Sequence, residues 1–178
     1  MFILNRNPKV QAFFFADNGA VPNSCLPVLL YNDVFSEDEG GISLVKKHIE
    51  RHTLRNGWRV DWVDVNAVYR YTHYHSTAHE ILAVIDEVAE LRLGGSNGKE
   101  LKVGPGDLIA IPAGVAHRRI SGNKYFQVAG LYPFGQQWDM LRQTRTDYKV
   151  ANQNLSKVSL PAADPFYGKD GPLMKYWR

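Results

Sequence analysis

Cysteine is nearly absent: Cys25 is the only one in 178 residues. No disulfide can form within the chain, so an oxidising compartment would add nothing to its stability. The neighbours Leu26, Pro27, Val28 and Leu29 imply a buried, inert thiol. Long apolar runs are missing too, and none approaches the roughly 18–20 residues that span a bilayer. Residues 1–6 carry no extended apolar stretch behind a basic start, so no secretory signal is expected there. Charge of one sign is never concentrated. The net charge is +3, and no basic run exceeds Arg118-Arg119 or Lys46-Lys47, which argues against a nucleic-acid-binding face. The expectation is a cytoplasmic protein with neither a nucleic-acid nor a membrane partner.

What is present suits one folded domain. Hydrophobic residues make up 44% of the chain and charged ones 22%, an ordinary balance for a packed core. Phe13-Phe14-Phe15 reads as a short strand closed by Asp17-Asn18-Gly19, and residues 26–31 as extended chain on the core. Ser36 followed by Glu39 has the form of a capping box. Ile42, Val45 and Ile49 then recur at helical spacing, which predicts an amphipathic helix over 42–54, ended by Asn56-Gly57. His48 and His52 lie four apart on it, but no carboxylate shares their face, so a surface role is expected.

From Trp58 the apolar period changes to two. Strands are expected over 58–65, 67–75, 80–93, 99–103, 108–111, 117–120 and 125–131, with Gly/Pro turns between them. Many short strands at close intervals indicate an antiparallel sandwich or barrel. The rest, from Phe134, is irregular, with a turn of helix expected near Trp138 and another over 148–155. Its Pro161, Pro165, Pro172, Phe166, Tyr167, Tyr176 and Trp177 suggest a tail pinned to the barrel by apolar anchors. The expected layout is a single domain: residues 1–57 as an N-terminal extension, 58–133 as the barrel core and 134–178 as the tail.

The chemistry gathers in two stretches. His73 and His75 are two apart, so on a strand both point to the same side. Glu80 follows a tight turn, and His117 closes Gly106 to His117, whose Pro112-Ala113-Gly114 bends the chain. Three imidazoles and one carboxylate at one point make a divalent transition-metal site. The mixed N/O set suits Fe, Mn, Ni, Co or Zn. Three imidazoles beside a buried carboxylate without a cation would leave polar groups unpaired, at roughly 1–3 kcal/mol each. His79 adjoins Glu80 and would replace it if the turn shifted the register; the apolar alternation through Leu82 and Val84 favours Glu80. By the same parity, Tyr69 and Tyr71 share the face of His73 and His75, and Arg119 that of His117. These three are the candidate catalytic groups around a small oxygen-rich or anionic substrate. The alternative is that the tyrosines fill the barrel and Arg119 pairs with Asp107 or solvent.

The two stretches closely resemble the paired motifs of the cupin superfamily, the RmlC-like jelly rolls. The first fits at His73, His75 and Glu80, the second at Gly106, Pro112, Gly114 and His117. The wider pattern, Phe-Phe-Phe-Ala-Asp-Asn-Gly early, Tyr-His-Ser-Thr-Ala-His-Glu in the middle and Asp164-Pro-Phe-Tyr-Gly late, is similar to the YjlB-like cupins. The resemblance implies an all-β double-stranded β-helix with one or two short peripheral helices, and metal ligands at His73, His75, Glu80 and His117. Three positions depart from the pattern: Ala67 and Glu87 stand where glycine is usual, and Ser121 where asparagine often is. Isomerase, lyase and dioxygenase chemistries occur among cupins, so a metal-dependent enzyme is expected. Its competitors are a non-catalytic ligand-binding or sensing protein and a metal that only closes the barrel. A homodimer is expected, because sheet edges and the Phe13–Phe15 strand need covering.

Overall fold

The computed structural model describes residues 2–37 and 41–178. The chain forms β1 (Phe2–Leu4), β2 (Lys9–Phe15), β3 (Ser24–Asn32), β4 (Phe35–Glu37), α1 (Gly41–Arg55) and β5 (Trp58–Val65). It continues through β6 (Glu80–Asp86), β7 (Ala89–Leu93), β8 (Lys99–Val103), β9 (Leu108–Ile111), β10 (His117–Gly122) and β11 (Gln127–Pro133). The helices α2 (Arg145–Asn154) and α3 (Pro172–Tyr176) lie in the tail.

Two antiparallel sheets face each other, the jelly-roll arrangement expected from the sequence. The larger runs β2-β3-β9-β6-β11-β5, the smaller β10-β7-β8. Because β2 and β3 are hydrogen-bonded into the large sheet through β9, the barrel begins within residues 1–57 rather than at 58. The central strands β9, β6 and β11 of the large sheet are buried on both faces, and alternation along β6 sorts its residues between them. Leu82 and Val84 join Val28, Leu91, Ile109 and Phe126 in the interior between the sheets. Ile81, Ala83 and Ile85 face outward, under Val45 and Ile49 of α1 and under Phe166, Leu173 and Trp177 of the tail.

The tail is held by polar bonds as well as apolar anchors. Asp164 accepts from Tyr31 Oη (2.9 Å) and from the backbone N–H of Phe166 (3.0 Å), Tyr167 (3.0 Å) and Leu173 (3.1 Å). Trp177 Nε1 donates to the Pro27 carbonyl at 2.9 Å, and Trp58 Nε1 to that of Ala163 at 2.8 Å.

Several expectations need correction. The helix spans Gly41–Arg55, but Asp38 and Glu39 of the expected capping box lie outside the described residues, and Ser36 sits within β4. No helical turn forms near Trp138; the segment there is irregular because it is tied side chain by side chain over the site. Cys25 is exposed: it alternates with the apolar residues of β3 and takes the solvent side. His48 and His52 stack on Phe2, at 4.8 and 5.4 Å between ring centroids.

The expected strand over 67–75 shrinks to a bridge between His73 and His117, with Tyr74 bridged to Leu141. Asn66 (φ 56°) and Val68 (φ 63°) both adopt left-handed backbone, which interrupts an extended run. The left-handed region is tolerable for asparagine and unusual for a β-branched residue. Residues 69–73 still lie along β10, through Arg119 N to Tyr69 O at 2.9 Å and His117 N to His73 O at 2.9 Å.

Candidate metal centre

Four side chains from three elements converge at one end of the interior. His117 opens β10, Glu80 opens β6, and on the irregular segment His73 is bridged to His117 with His75 two residues on. Two glycines permit this. Gly114 has φ 89°, its N–H donates to the His75 carbonyl at 2.8 Å, and a Cβ there would stand 2.5 Å from the Asn23 carbonyl oxygen. Gly106 leaves no more room: a Cβ would lie 2.3 Å from the Phe35 carbonyl oxygen.

All four side chains are buried. One ring nitrogen from each of His73, His75 and His117 lies within 4.8 Å of the other two. Glu80 Oε2 stands 3.4 Å from His75 Nε2 and 3.1 Å from His117 Nε2. The orientation of the rings is fixed from behind. Each Nδ1 meets a backbone carbonyl: Tyr71 for His73 at 3.1 Å, Asp139 for His75, and Val115 for His117 at 3.4 Å. A carbonyl accepts only, so in the neutral ring the proton sits on Nδ1 and the Nε2 lone pair faces inward. The shared point is therefore ringed by three lone pairs and a carboxylate oxygen, with no donor among them. Glu80 Oε2 has no hydrogen-bond partner. A buried group of acceptors alone repels itself unless a cation sits among them, so this donor set fits a divalent ion.

Titration behaviour agrees. Burial would push Glu80 up, yet the His75 and His117 rings hold it well below the usual carboxylate range. Burial disfavours a charge on His75, but the Glu80 carboxylate outweighs that and raises its pKa. His73 is pushed down to about 3 by burial and by His117.

A cavity of about 300 Å³ opens onto this cluster, lined also by Trp62, Asn66, Tyr69, Leu82, Tyr132 and Trp138. Tyr69 reaches its rim and is half exposed. Tyr71 does not line it; its ring is stacked between Tyr69 at 4.8 Å and the Arg142 guanidinium at 3.7 Å. Arg119 is buried, off the lining, and its Nη2 donates to Asn66 Oδ1. It does not pair with Asp107, which instead accepts from the N–H of Gly104 and Asp33 at 2.9 and 3.1 Å.

His79 points the other way from Glu80, as neighbours on a strand must. Its ring packs 4.8 Å from Trp177, and Nδ1 accepts from Ala113 N–H at 3.0 Å. Burial lowers its pKa to about 4.

Sequence reasoning missed Tyr132. Its hydroxyl donates to Glu80 Oε1 and accepts from Trp62 Nε1 at 3.2 Å; burial, then Glu80, raises its pKa. In the antiparallel register Gly130 faces Leu82 and Leu131 faces Ile81, so Tyr132 comes level with Glu80. That signal exists only once β11 is known to pair with β6. Asp139 was missed likewise. Its carbonyl holds His75 and its carboxylate takes Ser76 N–H and Oγ–H, both at 2.5 Å.

No protein-family model matches the chain. Over 170 residues it is 34% identical to the uncharacterised protein YjlB of Bacillus subtilis strain 168, covering 95% of this chain and 97% of that one. The chain belongs to the YjlB-like cupins. Solved structures similar to this YjlB-like protein include RmlC from Streptococcus suis in complex with dTDP-D-xylose, at 11% identity and TM-score 0.38 over 74% of this chain and 72% of that one. Acireductone dioxygenase from Bacillus anthracis, with cadmium ion in its active centre, gives 18% and 0.35 over 70% and 77%. Bacillus subtilis oxalate decarboxylase gives 13% and 0.35 over 79% of this chain but only 29% of that one. The fold assignment stands on the strand order described above.

Proposed function

We propose that this YjlB-like cupin is a metal-dependent enzyme acting on a small oxygen-rich or anionic molecule, of isomerase, lyase or dioxygenase type, at a centre of His73, His75, His117 and Glu80. The supporting observation is the acceptor-only cluster, three inward Nε2 lone pairs and an unpartnered Glu80 Oε2, at the floor of an open cavity. A divalent ion held there supplies Lewis acidity and, if it is iron, the capacity to engage dioxygen. The chain's own groups do the rest. His73, His75, His117 and Glu80 would hold the ion, and the cavity would give a substrate oxygen its approach to it. Trp62, Leu82 and Trp138 exclude water from the walls. Tyr132 and Tyr69 are the hydroxyls nearest at hand to hold a proton, with Tyr132 already on Glu80.

The competing reading, a ligand-binding protein without turnover, shares every one of these features. An oxygen electrode and a panel of small hydroxy and keto acids on metal-loaded protein separate the two. Turnover that disappears in His75→Ala along with the metal is expected. Saturable binding with no product from any panel member would favour the binding protein. A homodimer covering the free edge of β2, where Phe14 is 69% exposed, completes the proposal; a monomer mass in solution would refute that part. Among the described residues, no helix is long and apolar enough to cross a membrane.

A further inference from the structure

Two residues beyond His117 on the same inward face, Arg119 presents the opposite problem to the metal cluster. It is 2% exposed, and its Nε and Nη1 have no hydrogen-bond partner. Among the described residues it forms no ion pair; its side chain's one hydrogen bond is to Asn66 Oδ1, and the Phe126 ring lies 5.9 Å from its guanidinium carbon. A buried guanidinium with no counter-charge costs several kcal/mol, so a positive charge kept in this position implies an anion that it serves.

The route from Arg119 to the cavity runs through Asn66. Arginine only donates, so Asn66 must turn Oδ1 toward the guanidinium. Its Nδ2 is then the end free to serve the cavity that Asn66 lines. The backbone there is strained: Asn66 and Val68 are both left-handed, and Val68 is anchored against the interior. Such strain is stored where a site must be held in shape. Asp64 and Asn66 both border the cavity at its exposed side, where solvent screens the Asp64 charge; the buried charge is that of Arg119 behind Asn66.

We propose that Asn66, oriented and charged from behind by Arg119, is an oxyanion anchor, so that the substrate is a small organic acid gripped at both ends. One oxygen function would sit at the metal and a carboxylate at Asn66. Arg119 is a positioning residue here, acting through Asn66. This inference rests on the metal-centre reading above.

The test is calorimetric titration of metal-loaded protein with acetate, malonate and succinate, with imidazole as a neutral ligand for the metal alone. A charge-assisted hydrogen bond predicts that one of the two dicarboxylates binds at least about tenfold tighter than acetate. Arg119→Met and Asn66→Asp should each lose that preference while metal content and imidazole affinity stay unchanged. Asn66→Asp supplies Arg119 with a counter-charge, so it folds even if Arg119→Met does not. Equal affinity for acetate and both dicarboxylates in the unaltered protein, or a preference that survives in the folded variants, overturns the anchor. If the protein takes up no ion, the metal-centre reading falls by itself. Titrating the protein as purified then still decides the anchor: binding that depends on Arg119 sustains it, and its absence refutes it.

Discussion

Tyr132 holds Glu80 through a single hydrogen bond to Oε1, and that bond leaves Oε2 as the carboxylate oxygen facing the histidines; in the proposed centre it orients a metal ligand. Groups that orient ligands typically carry about 10–100-fold in metal affinity. Tyr132→Phe should therefore keep the fold and the metal but bind it about tenfold more weakly, read by competition with a chelator. At the same scale His79 sets an acid limit. Its ring is neutral when folded, with Nδ1 accepting from Ala113 and the pKa lowered to about 4 by burial, whereas in the unfolded chain it titrates near 6.5. The unfolded state thus binds the extra proton first, and stability is lost as pH falls from about 6.5 toward 4. A shift of this size corresponds to about 3 kcal/mol. Urea midpoints across that window should show the loss, and His79→Gln should flatten part of the slope.

The elements were more legible than their joints. The 3.6 period of Val45 and Ile49 gave α1, and the alternation of Leu82 and Val84 gave the face of β6, because each is a local pattern of burial. The strand expected over 67–75 does not form because Asn66, just before it, and Val68 are left-handed, and valine gives no sign of a turn. Glu87 is a comparable case. It stands where related motifs have glycine, and the backbone still adopts φ 62° there. Glu87→Gly should raise stability by about 0.5–1 kcal/mol, since the strain it relieves exceeds the entropy that glycine loses. A melting temperature unchanged or lowered would count against strain at this turn. Asp164 tests the tail: Asp164→Ala strands four donors and should cost about 3 kcal/mol or more, seen as a lower denaturant midpoint.

At the scale of the molecule, the sequence sufficed for the barrel and for bringing His73, His75 and His117 together, with Glu80 Oε2 beside His75 and His117, because the parity of these positions is readable. It could not supply what depends on distant pairing. Tyr132 meets Glu80 only through the β6–β11 register, Asp139 reaches His75 only because the segment after β11 folds back, and Arg119 finds Asn66 only across a strained turn. The two sheets bring together an acceptor cluster, and β10 carries an isolated guanidinium two residues beyond His117; the functional account begins from the first. Its foundation is the metal. Elemental analysis of protein purified without chelators measures it most directly. The account predicts close to one divalent transition metal per chain, lost in His75→Ala and retained in His79→Ala. A clean zero in the unaltered protein, or loss in His79→Ala with retention in His75→Ala, would contradict it.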